Sequence, residues 1–172
     1  MELREYESMT SAEMHEIVHA VYLEACLENA ALSCPAPSAL PAEIQRAEDE
    51  FVRYLEGFFA KSENRCYVLW GAEGAPLCAA RLTKLDGFYY LEALETAPVR
   101  RGCGCATELL NALAALLRTR GEVEVRSCVR TTNAASLAVH RKCGFRIAAD
   151  PGTDYLTGEI SAGCYGMVYK EG

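Results

Sequence analysis

The segment Thr96-Ala97-Pro98-Val99-Arg100-Arg101-Gly102-Cys103-Gly104-Cys105-Ala106-Thr107 carries the strongest chemical signal in the chain. It joins an apolar run to a segment with a helical apolar face. Glycine lacks a Cβ, so a ligand can approach the backbone closely there. The first N–H groups of a helix have no acceptor within it, and the helix dipole adds partial positive charge, so the turn has the makings of a phosphate cradle. Arg100 and Arg101 add two fixed cations. The spacing is neither that of a Walker loop nor that of the dinucleotide fingerprint. A tight strand-to-helix turn that uses glycine for sterics alone would look the same. A second constellation competes: His15-Glu16-Ile17-Val18-His19 reads H-E-x-x-H, which on a helix could bind zinc with Glu16 as base, and Glu43 could supply a third ligand. The same residues also fit an exposed helix face with Ile17, Val18 and Val21 turned inward.

The elements that would position these residues follow from periodicity. Residues 11–30 read as one helix capped by Thr10 or Ser11, broken by Ser33-Cys34-Pro35-Ala36-Pro37. A second amphipathic helix fits 41–60, with Ile44, Ala47, Phe51, Tyr54, Leu55 and Phe58 at helical spacing. The period then changes to that of strands: Cys66–Trp70, Leu77–Leu85 and, after the Asp86-Gly87 reversal, Phe88–Thr96. Ala106, Leu109, Leu110, Leu113, Leu116 and Leu117 form the face of the helix after the glycine turn, and Gly121 ends it. Val123, Val125 and Ser127 alternate as in a strand. A short helix follows from Asn133 to Lys142, and Cys164–Tyr169 reads as a last strand. Hairpins feeding a βαβ unit imply a mixed sheet with helices on its faces.

Composition sets outer limits. The chain has 172 residues, 51% of them hydrophobic and 24% charged, which fits a single globular domain spanning 1–172. No stretch approaches the ~18 apolar residues of a membrane span. The N-terminus is acidic and lacks an apolar signal core, so a cytoplasmic location is expected. The nine cysteines are odd in number and contain no C-x-x-C, which argues against a disulfide framework and against structural zinc. The net charge of −7 is uneven: residues 1–60 hold 12 acidic and 3 basic side chains, residues 97–146 hold 3 acidic and 9 basic. A pI near 5.1 speaks against nucleic acid, whereas a local cationic segment suits a small polyanion.

Two motifs together carry a family resemblance. Arg101-Gly102-Cys103-Gly104-Cys105-Ala106 resembles the R/Q-x-x-G-x-G/A pyrophosphate loop of the GNAT superfamily of acyl-CoA-dependent N-acetyltransferases. Asn133-Ala134-Ala135-Ser136-Leu137-Ala138-Val139-His140-Arg141-Lys142-Cys143-Gly144-Phe145 resembles their second signature, N-x-x-S-x-x-x-Y-x-K-x-G-F. The resemblance implies an α/β fold of the α+β type, with a mixed, mostly antiparallel central sheet and helices on both faces. It implies acetyl transfer from acetyl-CoA to a primary amine by direct attack in a ternary complex. The amides of Gly102, Cys103, Gly104, Cys105, Ala106 and Thr107 would hold the pyrophosphate, aided by Arg100 or Arg101. Leu94, Glu95 and Thr96 would hold the pantetheine arm, and a main-chain N–H near Leu94 would face the thioester oxygen. Asn133, Ser136 and His140 would line one groove. His140 stands where the family commonly has tyrosine, so proton donation to the leaving thiolate would fall to it.

An amine of pKa ~10.4 is neutral in only about one molecule in 2,500 at pH 7, a cost of ~4.6 kcal/mol, so a base is needed. Glu92 and Glu95 on the strand before the loop are the candidates. Strand alternation puts them on opposite faces unless a bulge intervenes, and position favours Glu92. A helix N-terminus can also activate a thiol, which would admit an acyl-cysteine route through Cys103 or Cys105. A non-catalytic acyl-CoA-binding domain of the same fold, or an H-E-x-x-H zinc hydrolase, are the other readings. On the resemblance the acceptor would be a small-molecule or peptide amine, and the acidity of residues 1–60 points to a cationic one. A homodimer is open.

Overall fold

The computed structural model describes residues 1–33, 36–121 and 124–170; Cys34, Pro35 and Val123 lie outside it. The chain begins with β1 (Glu2–Tyr6), followed by α1 (Ser11–Val21), α2 (Leu23–Ser33) and α3 (Leu40–Phe59). Next come β2 (Asn64–Trp70), β3 (Pro76–Leu85), β4 (Phe88–Thr96) and α4 (Cys105–Thr119). The chain closes with β5 (Glu124–Arg130), α5 (Ala134–Lys142), β6 (Arg146–Ala149), the small pair β7 (Gly152–Thr153) and β8 (Ile160–Ser161), and β9 (Cys164–Lys170). Seven strands form one sheet in the order β1-β2-β3-β4-β5-β9-β6. Only β4 and β5 run parallel, as the βα-type crossover through α4 requires.

Each face of the sheet buries its own core. On one face α1 and α3 set Ile17, Val18, Val52 and Leu55 against Val68, Trp70 and Ala79. On the other, α4 sets Leu109, Leu110, Leu113 and Leu117 against Tyr67, Leu69, Ala80 and Leu82. A leucine buried this fully contributes ~1.5–3 kcal/mol, so the α4 stripe alone anchors the loop that precedes it. Strands β2 and β3 are covered on both faces, which explains their near-continuous apolar runs.

Three features depart from the sequence reading. The helix expected over 11–30 is two helices, because the backbone turns out of helical geometry at Tyr22. The Tyr22 ring is buried there against Phe51 at 4.5 Å, and this tertiary contact redirects the chain. Strand β1 has no clear alternation of its own; it forms because β2 offers it an edge, with Leu3 opposite Leu69. Strand β6 is exposed along its length and is held only by β9.

Candidate active site

The site grows from a defect in β4. Arg81 on β3 pairs with Ala93, and its neighbour Leu82 pairs with Leu91, so Glu92 is an extra residue in β4. A bulge bends its strand and breaks alternation. Two consequences follow. Beyond Leu91, which pairs with Ser127, β4 parts from β5, while β5 goes on pairing with β9 to Arg130. The edge of β4 from Glu92 to Thr96 is thereby left open toward β5. The bulge also turns Glu92 and Glu95 to the same side of the sheet, the α1–α3 side, rather than to opposite faces. Glu92 meets Tyr54 of α3 there, and Glu95 feels the charges of Arg81, Glu24 and Glu28.

A cleft of about 700 Å3 lies along this part of β4. Leu94, Glu95 and Thr96 line it from β4, Arg100, Arg101, Gly102 and Gly104 from the loop, and Cys105, Ala106 and Thr107 from the start of α4. Asn133 and Ser136 line it from α5, together with Lys142 and, from α2, Glu24. Gly102 and Gly104 have φ of +75° and +83°, a region that L side chains avoid. A Cβ at either would meet nothing within 4 Å, so backbone conformation, not crowding, calls for glycine there. The first helical bond of α4 runs from the Glu108 amide to the Gly104 carbonyl at 3.0 Å, leaving the amides of Gly104–Thr107 without an intrahelical acceptor. These residues line the cleft beside two arginines, an arrangement that fits a pyrophosphate. The arginines differ: Arg101 is paired with Glu24, whereas Arg100 has no carboxylate partner among the described residues. Asn133 caps α5, accepting the Ser136 amide at 3.0 Å.

Cys103 and His140 are not brought into the cleft. The Cys103 side chain points to solvent, and its amide is spent on the Arg100 carbonyl at 3.3 Å. Burial pushes the Cys105 thiol up, against the activation expected at a helix start. His140 corrects the expectation that it shares a groove with Asn133 and Ser136. It is 2% exposed, on the core side of α5, with its ring 4.9 Å from Phe145. Its Nδ1 lies 2.8 Å from the Ser136 carbonyl and so carries the proton, while Nε2 is buried without a partner among the described residues. Burial lowers its pKa, and a neutral imidazole in the core cannot protonate a leaving group in the cleft. The 100° step of a helix explains the difference: Ala135, Ser136, Val139 and Lys142 face the cleft, and Leu137 and His140 face the core.

Glu92 lines a second cavity of about 340 Å3 with Arg53, Tyr54 and Gly57 of α3, Thr83 of β3 and Leu156. Tyr54 donates its hydroxyl to Glu92 Oε2 at 2.9 Å, and Thr83 donates to Oε1 at 3.4 Å. Arg81 Nε stands 4.0 Å from the same carboxylate. The Arg81 guanidinium is buried under the rings of Tyr22, Phe51 and Tyr54, each 5.1–5.5 Å away. Burial raises the Glu95 carboxyl above the usual range, with Arg101 and Arg81 pulling the other way. Sequence reasoning missed Tyr54, Arg81 and Thr83. A lone arginine inside the apolar run Leu77–Leu82 was the available signal.

The H-E-x-x-H segment does other work. His19 Nδ1 lies 2.8 Å from Glu48, and His15 Nε2 lies 3.4 Å from Asp49, so the two histidines tie α1 to different carboxylates on α3. Among the described residues no group of three or more metal-ligating side chains is gathered. Among them, too, no helix is long and apolar enough to cross a membrane.

A fold of this topology with a glycine loop at the mouth of split parallel strands defines a class, and the comparisons agree. The family model for the acetyltransferase (GNAT) family matches residues 27–145, and the chain belongs to that family. Among solved structures, the PaiA N-acetyltransferase of Thermoplasma acidophilum, in complex with coenzyme A, superposes with a TM-score of 0.67. It is 13% identical over 99% of this chain and 100% of that one. A phosphinothricin acetyltransferase of Sinorhizobium meliloti, in complex with AcCoA, gives 0.63 at 19% identity over 99% and 88%. The ribosomal-protein-S18-alanine N-acetyltransferase of Escherichia coli gives 0.62 at 17% over 98% and 94%. At these identities the likeness is one of fold. No curated protein matches the sequence.

Proposed function

We propose that the chain is a single-domain N-acetyltransferase that uses acetyl-CoA to acetylate a primary amine in a ternary complex. One observation carries the reading: the open edge of β4 runs from the amide cradle at Gly104–Thr107 to the carboxylate of Glu92. Acetyl-CoA supplies the activated acetyl thioester. The amides of Gly104–Thr107 and the unpaired Arg100 hold its pyrophosphate, and Asn133, Ser136 and Lys142 line the opposite wall. The main chain of Leu94–Thr96 receives the pantetheine arm as a short strand would, and the N–H near Leu94 faces the oxygen that gains charge. A donor so placed is worth roughly 2.7–4 kcal/mol in related sites.

Glu92 takes the proton of the acceptor ammonium. Tyr54 and Thr83 fix the direction of its lone pairs, and Arg81 Nε stands 4.0 Å from it. The attacking nitrogen loses its second proton as the C–S bond breaks, and that proton passes through water to the leaving thiolate, which at a thiol pKa of ~8.5 is a good leaving group near neutral pH. Glu95 is a second candidate base: it lies in the cleft itself and its carboxyl is raised by burial. Titration of the protein with acetyl-CoA, followed by an assay of CoA thiol release with amine acceptors, tests the reading. Saturable binding with turnover that Glu92→Gln removes supports it. Binding without turnover for any amine leaves an acyl-CoA-binding domain instead, and retained turnover in Glu92→Gln with loss in Glu95→Gln moves the base to Glu95.

A further inference from the structure

The cavity beside Glu92 has a charge pattern that restricts what it can take. Arg53 lines it from α3 and Lys61 from the turn that ends that helix. Neither has a carboxylate within ion-pair distance among the described residues. Arg46, the other cation of α3, is tied to Glu43 and Glu50. Inside the cavity Arg81 Nε stands 4.0 Å from the Glu92 carboxylate, while Arg53, which feels the Asp49 charge one turn away, and Lys61 bring two cations to the rim.

Gly57 provides an independent observation. It sits between them within the 20-residue helix α3, where glycine is a poor helix former. A Cβ there would meet nothing within 4 Å. The free protein therefore has no steric need for glycine, and the empty volume above it belongs to the cavity. At about 340 Å3 that cavity suits a small molecule.

On these grounds we infer that the acceptor is a small amine that also bears an anionic group. Its amine meets Glu92, its anion lies over Gly57 between Arg53 and Lys61, and Phe58 and Leu156 cover its carbon skeleton. The inference rests on the acetyl-transfer reading and narrows its substrate class. It is the reverse of what the acidity of residues 1–60 led one to expect, because several of those carboxylates are paired elsewhere. Glu24 holds Arg101, Glu43 and Glu50 hold Arg46, and Glu48 and Asp49 hold the histidines of α1. A polyamine would bring more positive charge to a rim that is already positive.

The test measures kcat/KM by CoA thiol release for alanine, leucine, β-alanine and γ-aminobutyrate. Each is compared with the amine that lacks its carboxylate, and spermidine is included. Charge-assisted hydrogen bonds of the expected strength predict at least ~10-fold preference for one or more of the acids over its partner. In the Arg53→Ala/Lys61→Ala variant that ratio should fall to within about twofold of one, while melting and acetyl-CoA titration report that the fold persists. Gly57→Phe should fill the cavity, retaining acetyl-CoA binding and losing turnover. Equal or better use of the simple amines or spermidine overturns the inference and leaves acetyl transfer standing, as does a ratio that survives the double variant. Turnover of no amine in either set, with acetyl-CoA bound, overturns the acetyl-transfer reading and this inference with it.

Discussion

The two ends of the open β4 edge are assembled in different ways. The amide cradle takes its groups from consecutive residues, Arg100 to Thr107, and needs only a positive φ at two glycines and the start of one helix. The pocket at Glu92 takes its groups from Tyr54, Arg81, Thr83 and Leu156, brought together from α3, β3 and the segment after β7. A local device depends on its own backbone alone and can be read as a short motif. A device gathered from across the fold depends on every element that supplies it, and that is where acceptor specificity can vary.

The sharpest way to break this contrast is at the cradle. Gly104→Val places a β-branched residue at φ +83° and should cut acetyl-CoA affinity ~100-fold or more in calorimetric titration, with the circular dichroism of the fold retained. Full affinity in that variant would mean the loop does not hold the pyrophosphate.

At the other end, Glu92→Gln should lower kcat by roughly 10²–10⁴ while the acetyl-CoA dissociation constant changes little. A parallel loss of cofactor affinity would erase the distinction between the two regions.

Arg81→Leu comes next, and it acts on stability as well as rate. Removing one member of a buried ion pair strands the other, at a cost of roughly 3–5 kcal/mol, so the melting temperature should fall clearly. Adding Glu92→Gln to that variant should restore part of the loss. Additive destabilisation in a double-mutant cycle would show that the two groups are not coupled.

The smallest effect is expected at His140. His140→Asn should change kcat by less than about threefold, because the side chain does not reach the cleft. Its signature lies in pH. Burial depresses the folded pKa below the 6.5 of the unfolded chain, so the unfolded state binds more protons as pH falls. The stability present above pH 6.5 is lost as pH drops from there toward the lower folded value. His140→Asn should flatten that decline in thermal melts, and an unchanged slope would assign the acid sensitivity to another group.

The catalytic resemblance and the structure part company at this residue for a physical reason. Position in a motif says which helix a side chain is on, not which way that helix is rolled. The apolar contacts of Leu137, Cys143 and Phe145 set the roll of α5, and they turn His140 inward with them. The bulge at Glu92 is a similar case. Strand alternation placed Glu92 and Glu95 on opposite faces, and only the register between β3 and β4 decides otherwise.

What the sequence determined by itself is what depends on short-range chemistry. The glycines at 102 and 104, the apolar stripe of α4 and the cap at Asn133 act through their own backbone and nearest turns, so the cradle and its helix could be read from residue types and spacing. The parting of β4 from β5, the inward roll of His140 and the meeting of Tyr54, Arg81 and Thr83 around Glu92 were decided by the tertiary structure. They depend on strand register and on which helix face is buried, and both are settled by contacts between segments far apart in the chain.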